Sequence, residues 1–285
     1  MYIVFDIGGT KMRLAASEDG RKFGEPKVVP TPKQFEEGIA QFAALAHELA
    51  RGGEIRMVAG GIAGPFNRER TELAGAPNLP GWNHRPLKHE LEKAAGAPVI
   101  LENDAAVAAL GEATAGAGKG RSLVAYLTIS TGVGGARIVN GKIDKAAVGF
   151  EPGHQIIDID GSLCGGVCGG DGDLEQHVSG SALEKRYGKK AYEITDKKVW
   201  DQTARMLAYG LHNTIVHWSP EVIVLGGAMI LGDPAIPLEG IRKYLKEILH
   251  IFPEVPEITR AALGDAAGLH GALALLHEKR KNETH

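Results

Sequence analysis

Residues that could carry chemistry follow the apolar run at residues 99–101. Glu102, Asn103 and Asp104 come directly after it. In open α/β sheets, ligands bind outside the carboxyl ends of the parallel strands. We therefore expect Asp104 to face a substrate and to accept the proton of an attacking hydroxyl group, with Asn103 hydrogen-bonding to hydroxyl groups beside it. The alternative is that all three residues cap the Ala-rich helix that follows, as Asn and Asp commonly do.

A phosphate site is predicted by the stretch DIGGTK, which follows the first apolar run of the chain. Glycines let backbone N–H groups approach an anion, while a hydroxyl and an ammonium group add further donors. A carboxylate in the same turn can hold a water molecule on a magnesium ion. The residues concerned are Asp6, Gly8, Gly9, Thr10 and Lys11.

A second Gly/Thr turn, STGVGG at residues 130–135, has the same character and would bind the phosphates from the opposite side. The chain contains no GxGxxG, which argues against a dinucleotide fold, and no GxxxxGK followed by Ser or Thr. A single turn of this kind is more often an ordinary hairpin. The pair together favours ATP.

Residues 149–175 contain a further group of polar side chains. Glu151 and His154 lie three residues apart across a Pro-Gly turn, and Glu175 follows a Gly-rich loop. These donors and acceptors could converge on a polyol. Such a site rejects analogues that lack a hydroxyl group, because its buried polar groups would lose their partners.

The same segment contains residue types that can bind zinc. The four candidate ligands are His154, Cys164, Cys168 and Asp173. The alternative is a loop with two reduced cysteines, which produces the same CxxxC string.

The composition is that of a globular protein that binds small molecules. The chain has 285 residues, of which 44% are hydrophobic, and a chain longer than about 250–300 residues usually divides its core between two domains. The formal charge of -3 and the scattered basic residues leave no footprint for nucleic acid. No apolar run approaches the length of a membrane span, and Met1 leads directly into a strand-like run without a signal sequence. We therefore expect a cytoplasmic protein, with neither nucleic acid nor a membrane as its partner.

Short apolar runs alternate with helical stretches, which indicates an α/β fold. Apolar residues at three- and four-residue spacing predict helices over 33–51, from Pro86 to Gly96, and over 197–218. The predicted strands are YIVFD, MRLAA, IRMVAGG, PVILE, SLVAYLTI, ARIV, EVIVLGG and EITRAAL.

One pattern occurs twice along the chain. YIVFDIGGTKMRLAA and LVAYLTISTGVGGARIV both place an apolar strand before a Gly/Thr turn and a second short strand after it. This predicts two related α/β halves, each contributing one turn to a shared cleft. The alternative is two unrelated hairpins.

Together these motifs resemble those of the ROK family of sugar kinases, within the actin-like, hexokinase-type ATPase superfamily. The resemblance runs nearly from one end of the chain to the other. The matching segments, in order, are DIGGTK, GIAGP, PNLPGW, ENDA, STGVGG, EPGH, the Cys/Gly loop ending in LE, VLGGAM and LGDAAGLHGA.

The resemblance implies two actin-like (ribonuclease H-like) α/β domains flanking a central cleft. The small domain would comprise residues 1–113, completed by a C-terminal helix at 267–283. The large domain would comprise residues 114–266. A homodimer is also expected, because symmetric dimers are common in the family.

The resemblance further implies an ATP-dependent hexose kinase of glucokinase type that uses magnesium, with Asp104 as the catalytic base. The residues that would bind the sugar are Asn78, Asn103, Asp104, Glu151, His154 and Glu175. The ATP phosphates would lie at Gly8–Lys11 and at Thr131–Gly132, with Gly226 and Gly227 near adenosine.

The chain departs from the family pattern in the cysteine loop. The family's CxCGxxGC is replaced by CGGVCGGDGD, and Asp173 stands in the place of the third cysteine. Structural zinc would therefore need Asp173 as an oxygen ligand. Pro152 stands where the family often has an aliphatic or aromatic residue, which could reshape the sugar pocket. Trp82 either lines that pocket or anchors its own turn.

Other activities stay open. They include N-acetylmannosamine or N-acetylglucosamine kinase, fructokinase, and the use of polyphosphate as donor. A sugar-responsive transcriptional regulator is an alternative from another class, but such ROK proteins carry an N-terminal helix-turn-helix segment, whereas here Met1 opens on the first strand. Retention of Asp104 and of both Gly/Thr turns argues against a silent sugar sensor.

Overall fold

The computed structural model describes residues 1–164 and 172–283. The chain divides into two compact units, each built around one five-stranded sheet. Unit 1 comprises Met1–Ala115, Lys145–Gly149 and Asp265–His285, and unit 2 comprises Gly116–Asp144 and Phe150–Gly264.

Strands and helices alternate along most of the chain. The strands are β1 (Tyr2–Ile7), β2 (Lys11–Ser17), β3 (Lys27–Pro30), β4 (Met57–Ile62), β5 (Val99–Asn103), β6 (Leu123–Ile129), β7 (Val133–Val139), β8 (Lys142–Ile143), β9 (Val222–Gly226) and β10 (Glu257–Arg260). The helices are α1 (Phe35–Ala50), α2 (Leu87–Ala95), α3 (Asp104–Ala115), α4 (Leu174–Val178), α5 (Gly180–Tyr187), α6 (Lys197–Trp218), α7 (Ala228–Leu231), α8 (Leu238–Ile248) and α9 (Ala267–Glu283). No described helix has both the length and the apolar character needed to cross a lipid bilayer.

The two sheets have the same topology. The first has the strand order β3-β2-β1-β4-β5, and the second, read from its other end, has the order β8-β7-β6-β9-β10. In each sheet the first three strands in the chain pair antiparallel, and the last two join in parallel. The predicted α/β class and the predicted repeated hairpin are therefore confirmed, and the alternative of two unrelated hairpins is wrong.

The alternation of side chains along β1 places Asp6 on one particular face of the first sheet. Ile3, Phe5 and Ile7 pack into the core that includes α1 and α2, whereas Tyr2 and Val4 pack into a second core with residues of α3 and α9. Successive residues of a strand point to opposite faces. Asp6 therefore shares the face that α3 and α9 cover.

The largest hydrophobic cluster among the described residues of unit 2 includes many residues of α6. The four-residue spacing that predicts this helix matches the buried side, because Val199, Thr203, Leu207, Leu211 and Ile215 are all buried. Asp196 begins the helix by accepting a hydrogen bond from the Lys198 amide, which satisfies one of the unpaired N–H groups of its first turn.

Some elements carry no clear pattern in the sequence. The short strands β3 and β8 have exposed or half-buried residues only, so they lack the apolar runs from which the other strands are predicted.

Helices α3 and α9 approach so closely that glycine is required at their contact. A methyl group on Gly271 would lie 1.7 Å from the Val107 carbonyl oxygen, and one on Gly111 would lie 2.2 Å from the Ala267 carbonyl oxygen. Real Cβ atoms do not come this close to backbone atoms. Gly271 of the motif LGDAAGLHGA and Gly111 of α3 thus allow the C-terminal helix to pack on the helix that begins at Asp104.

We expect Gly271→Ala to reduce the free energy of unfolding by about 1–3 kcal/mol, because the added methyl group forces the helices apart. Urea denaturation measures this change. Gly75→Ala is the matched control, since Gly75 is exposed and has no atom near its absent side chain, and it should change the stability by less than about 0.5 kcal/mol. Equal stabilities of the two variants would contradict the packing argument.

Candidate active site

Two carboxylates of unit 1 lie at the carboxyl ends of parallel strands. β1, β4 and β5 are neighbours, and the register places Gly61 of β4 directly between Asp6 of β1 and Glu102 of β5. A methyl group on Gly61 would lie 2.8 Å from the Asp104 Cα atom. The absence of a side chain at Gly61 therefore allows the first residue of α3 to approach the strand next to Asp6.

Asn103 and Asp104 take part in the start of α3. Asn103 Oδ1 accepts a hydrogen bond from the Ala106 amide at 3.2 Å, and its Nδ2 donates to the Gly64 carbonyl oxygen at 3.1 Å. Asp104 Oδ1 accepts from the Ala105 amide at 2.8 Å. The capping interpretation therefore holds for Asn103, while Asp104 Oδ2 has no hydrogen-bond donor in the described part of the chain.

Glu102 belongs to a different environment from Asp104. Its Oε2 atom accepts a hydrogen bond from Arg70 Nε at 2.7 Å, and its Oε1 atom accepts one from the Asn103 amide at 2.9 Å. Both oxygens are thus engaged by protein groups. Asp104 is the carboxylate at this strand end that keeps an oxygen available for a ligand.

Burial changes the protonation of both carboxylates at this edge. It raises the pKa of Asp104 to about 6, although backbone amides at the helix start partly oppose the shift. It raises the pKa of Asp6 to about 7, and the negative charge of Asp104 adds to the effect. Both groups therefore titrate close to neutral pH, as expected of functional carboxylates in a desolvated place.

Arg13 and the start of α9 surround Asp6. The Arg13 guanidinium lies 3.4 Å from Asp6 Oδ2 and 2.7 Å from Asp265 Oδ2, and it lowers the pKa of Asp6 against the dominant effect of burial. A methyl group on Gly268 would lie 2.7 Å from the Asp6 Cγ atom. Sequence reasoning missed Arg13, although the strand alternation after DIGGTK places it directly opposite Asp6.

The Gly/Thr turn of unit 1 is held through its carbonyl groups. Gly8 N–H donates to the Lys11 carbonyl at 2.9 Å, Thr31 Oγ1 donates to the Gly8 carbonyl at 2.8 Å, and Lys33 Nζ donates to the Gly9 carbonyl at 2.6 Å. Within the described residues, no acceptor contacts the amides of Gly9 and Thr10. Free amides on a fixed turn fit the predicted binding of phosphate.

The segment PNLPGW packs against this turn. A methyl group on Gly9 would lie 2.6 Å from the Asn78 Cβ atom, so the predicted sugar ligand Asn78 lies next to the predicted phosphate turn. Trp82 is fully buried and donates from Nε1 to the Pro32 carbonyl oxygen at 3.2 Å. Of its two interpretations, the structure supports the one in which Trp82 anchors the turn.

The Gly/Thr turn of unit 2 is supported by two helices. The amides of Gly180 and Ser181, at the start of α5, donate to the carbonyl groups of Ser130 at 2.7 Å and Thr131 at 3.3 Å. Glu175 of α4 accepts a hydrogen bond from the Val133 amide at 2.7 Å. One oxygen of the predicted sugar ligand Glu175 is therefore committed to the turn.

Close approach explains the glycines at and near this second turn. A methyl group on Gly132 would lie 2.6 Å from Glu175 Oε2. Gly227 has φ +84°, and a methyl group there would lie 2.2 Å from the Ile129 carbonyl oxygen. Within the described residues, the amides of Thr131 and Gly132 have no acceptor. The turn of unit 2 thus has backbone amides available to a ligand, as the turn of unit 1 does.

His154 ends a short turn, Pro152–His154, that is anchored on β7. Pro152 and Gly153 are buried, and a methyl group on Gly135 would lie 2.8 Å from the Pro152 Cγ atom. Pro152 therefore packs on the sheet. Glu151 and His154 flank the buried pair and are both exposed.

The predicted zinc ligands in the described residues contact each other. His154 Nδ1 lies 2.9 Å from Asp173 Oδ2, and the Asp173 carboxylate raises the pKa of His154. In the part of the chain that is described, no group of three possible ligands can hold a metal ion. Cys168 and the side chain of Cys164 lie outside the described residues, so zinc binding stays a prediction.

The repeated sheets and their paired Gly/Thr turns define an actin-like α/β protein. The sequence matches the ROK family over residues 2–279. It is 33% identical to a glucokinase from Streptomyces coelicolor over 98% of both chains, and 32% identical to an N-acetyl-D-glucosamine kinase from Escherichia coli O127:H6 over 97% of this chain and 99% of that one. A ROK family glucokinase from Streptomyces griseus, solved in complex with glucose and AMPPNP, superimposes with a TM-score of 0.76 at 30% identity, over 96% of this chain and 98% of that one. The chain belongs to the ROK family.

We expect Asp6→Asn to stabilise the unliganded protein, and the gain to grow as the pH rises. The folded-state pKa of Asp6 is raised from 3.8 to about 7, so ionisation destabilises the fold progressively across that interval. Relative to wild type, the variant should gain about 2–3 kcal/mol between pH 5 and pH 8. Thermal unfolding at several pH values measures this.

Asp19→Asn is the control for this experiment. Asp19 is exposed, and backbone hydrogen bonds lower its pKa, so its loss should produce no gain that grows with pH. A constant difference between Asp6→Asn and wild type would contradict the assignment of Asp6 as a desolvated carboxylate.

Proposed function

We propose that this protein is an ATP-dependent hexose kinase that transfers a phosphoryl group from ATP to a sugar hydroxyl, with glucose as the proposed acceptor. The glucokinase relative from Streptomyces coelicolor and the glucose complex of the Streptomyces griseus enzyme support this substrate class. The observation that carries the proposal is the Asp104 carboxylate, which has one oxygen held by the start of α3 and the other without a protein donor in the described residues.

Asp104 has the properties that a general base for this reaction needs. Oδ1 is fixed by the Ala105 amide, so Oδ2 can accept the proton of the sugar hydroxyl as that oxygen attacks phosphorus. Burial raises the pKa of Asp104 to about 6. The group is therefore mostly ionised at neutral pH and yet basic enough to accept a proton efficiently.

The turn of unit 1 would bind phosphate groups of ATP. The amides of Gly9 and Thr10 are available donors, and Lys11 is exposed and adds a positive charge. Magnesium, when bound with ATP, would neutralise phosphate charge, and the partly buried carboxylate of Asp6 is a suitable hard ligand for it through water. The positive charge of the ion would offset the cost of burying the ionised Asp6 carboxylate, which is the effect that raises its pKa.

The remaining binding residues are proposed from the family resemblance. Thr131 and Gly132 would bind phosphate through their available amides, with Gly226 and Gly227 near adenosine. Asn78, Asn103, Glu151, His154 and Glu175 would bind the sugar. Of these, Asn103 and Glu175 already make hydrogen bonds to backbone amides, which fixes their orientation before a ligand binds.

We expect Asp104→Asn to reduce kcat by roughly 100-fold to 10,000-fold, the usual cost of losing a general base. Sugar and nucleotide binding should persist, because Asn preserves the size of the side chain. A coupled assay of ADP release measures turnover, and calorimetry measures binding.

Glu102→Gln is the matched control for Asp104→Asn. It removes a neighbouring carboxylate whose oxygens are bound to Arg70 and to the Asn103 amide, and it should retain most of the turnover. Near wild-type turnover in Asp104→Asn, or equal losses in the two variants, would remove the assigned role of Asp104.

We expect kcat/KM for the sugar to fall as the pH decreases through about 6, because protonated Asp104 cannot act as a base. The pKa values of Asp104 and Asp6 are about 6 and about 7, and their interaction makes the observed values those of the pair. Initial rates between pH 5 and pH 8 at constant magnesium measure the profile. A flat profile over this range would argue against a carboxylate base with a raised pKa.

A second candidate activity is an N-acetylglucosamine kinase. The relative from Escherichia coli O127:H6 favours it at nearly the same identity as the glucokinase relative. N-acetylmannosamine kinase and fructokinase remain alternatives from the sequence. Initial rates with glucose, mannose, fructose and both N-acetylated hexosamines decide between them, and absence of ATP-dependent phosphorylation of every sugar would reject the kinase proposal. A homodimer is part of the same proposal and is tested by sedimentation.

A further inference from the structure

Asp173 uses both of its carboxylate oxygens to join two segments of unit 2. Oδ1 accepts a hydrogen bond from the Gln176 amide at 2.9 Å and so caps α4. Oδ2 lies 2.9 Å from His154 Nδ1, and the Asp173 side chain is only 10% exposed. A buried carboxylate with two hydrogen bonds is held firmly.

Backbone hydrogen bonds also join the same two segments. The Leu174 amide donates to the Gln155 carbonyl at 2.9 Å, and the Ile157 amide donates to the Gly172 carbonyl at 3.0 Å. Gly172 has φ +75°, and a methyl group there would lie 1.9 Å from the Asp158 carbonyl oxygen. The position of Asp173 relative to His154 is therefore fixed by the main chain on both sides.

The segment that contains Asp173 also contains Glu175, two residues further along the chain. Glu175 lies in the first turn of the helix that Asp173 caps, and its Oε2 atom accepts from the Val133 amide. One carboxylate thus links His154 to the element that carries Glu175. Both of these residues are proposed sugar ligands.

We propose that Asp173 is a positioning residue that orients His154 for sugar binding through a direct hydrogen bond, without a metal ion. This inference rests on the proposed function, because it assigns His154 to the sugar. Asp173 Oδ1 accepts from the Gln176 amide, and Oδ2 accepts from His154 Nδ1–H, so His154 Nδ1 and this carboxylate face each other and do not hold a zinc ion between them. In this proposal the His154–Asp173 hydrogen bond takes the place of the zinc contact that the family pattern implies.

The hydrogen bond has a chemical consequence for the other ring nitrogen of His154. When Nδ1–H donates to a carboxylate, the neutral imidazole has its acceptor at Nε2. The His154 side chain is 60% exposed, so this nitrogen can accept from a sugar hydroxyl. In metal sites, a carboxylate that accepts from one ring nitrogen commonly fixes the orientation of the histidine. The Asp173 carboxylate can therefore orient the His154 ring in the same way.

The first test is Asp173→Asn. Asn keeps an oxygen that can cap α4, but it removes the charged acceptor for His154. We expect the dissociation constant for the sugar to rise by about 10- to 100-fold, the effect of losing a hydrogen bond to a charged group, with the KM for ATP unchanged. Calorimetry on the full-length protein measures sugar binding, and thermal unfolding verifies that the variant is folded.

Ser179→Ala is the matched control. Ser179 caps the next helix, α5, by accepting from the Ala182 amide at 3.1 Å, and no hydrogen bond joins it to His154 among the described residues. It should lose a helix cap without changing sugar affinity by more than about twofold. Equal sugar affinities in wild type and Asp173→Asn, or equal losses in Asp173→Asn and Ser179→Ala, would overturn the proposal.

The second test does not depend on any sugar. In protein dialysed against a chelator, the imidazole nitrogen spectrum should show a protonated His154 Nδ1, assigned with His154→Gln, and Asp173→Asn should lose that signal. Elemental analysis of the purified protein before chelation should find no stoichiometric zinc. Chelation should leave the melting temperature of the protein unchanged. One equivalent of zinc whose removal lowers that temperature, or a signal that persists in Asp173→Asn, would overturn the proposal.

The two tests separate this inference from the kinase proposal. If no sugar is phosphorylated but the His154 signal depends on Asp173, the kinase proposal fails and the hydrogen bond remains. If sugars are phosphorylated while Asp173→Asn keeps both the signal and the sugar affinity, the positioning role fails and the kinase proposal remains.

Discussion

The parallel alignment of β1, β4 and β5 is the constraint on which the site of unit 1 depends. It brings Asp6 and the residue after β5, Asp104, to one edge of the sheet, and Gly61 between them leaves room for α3 to begin there. Burial raises the pKa of both carboxylates. Such a pair destabilises the fold at neutral pH, which is typical of groups that serve function rather than stability.

Elements distant in the sequence complete this edge. The start of α9 places Gly268 against Asp6, and Asp265 shares Arg13 with it. The same helix packs on α3 through Gly271. The C-terminal segment therefore contacts Asp6 directly, and it also packs on the helix whose first residue is Asp104.

The two units use one backbone device with different supports. Each has a hairpin whose Gly/Thr turn leaves amides available, but the first turn is held by Thr31 and Lys33, and the second by Glu175 and the start of α5. The two units therefore share the turn, but different residues support it in each. Because Glu175 supports the second turn, this turn depends on α4. It also depends on Asp173, because Asp173 caps α4.

The sequence by itself determined the α/β class, the repeated hairpin, the helices over 33–51, 86–96 and 197–218, and the turns that bear glycine, because each depends on local periodicity or local backbone freedom. It also placed Asp104 at a strand end. Only the tertiary structure decided that Asn103 donates to the Gly64 carbonyl, that Trp82 is a core anchor, and that Arg13 and Lys33 brace the site of unit 1. Those roles arise from contacts between residues far apart in the chain, and residue spacing along the chain carries no record of which distant groups meet.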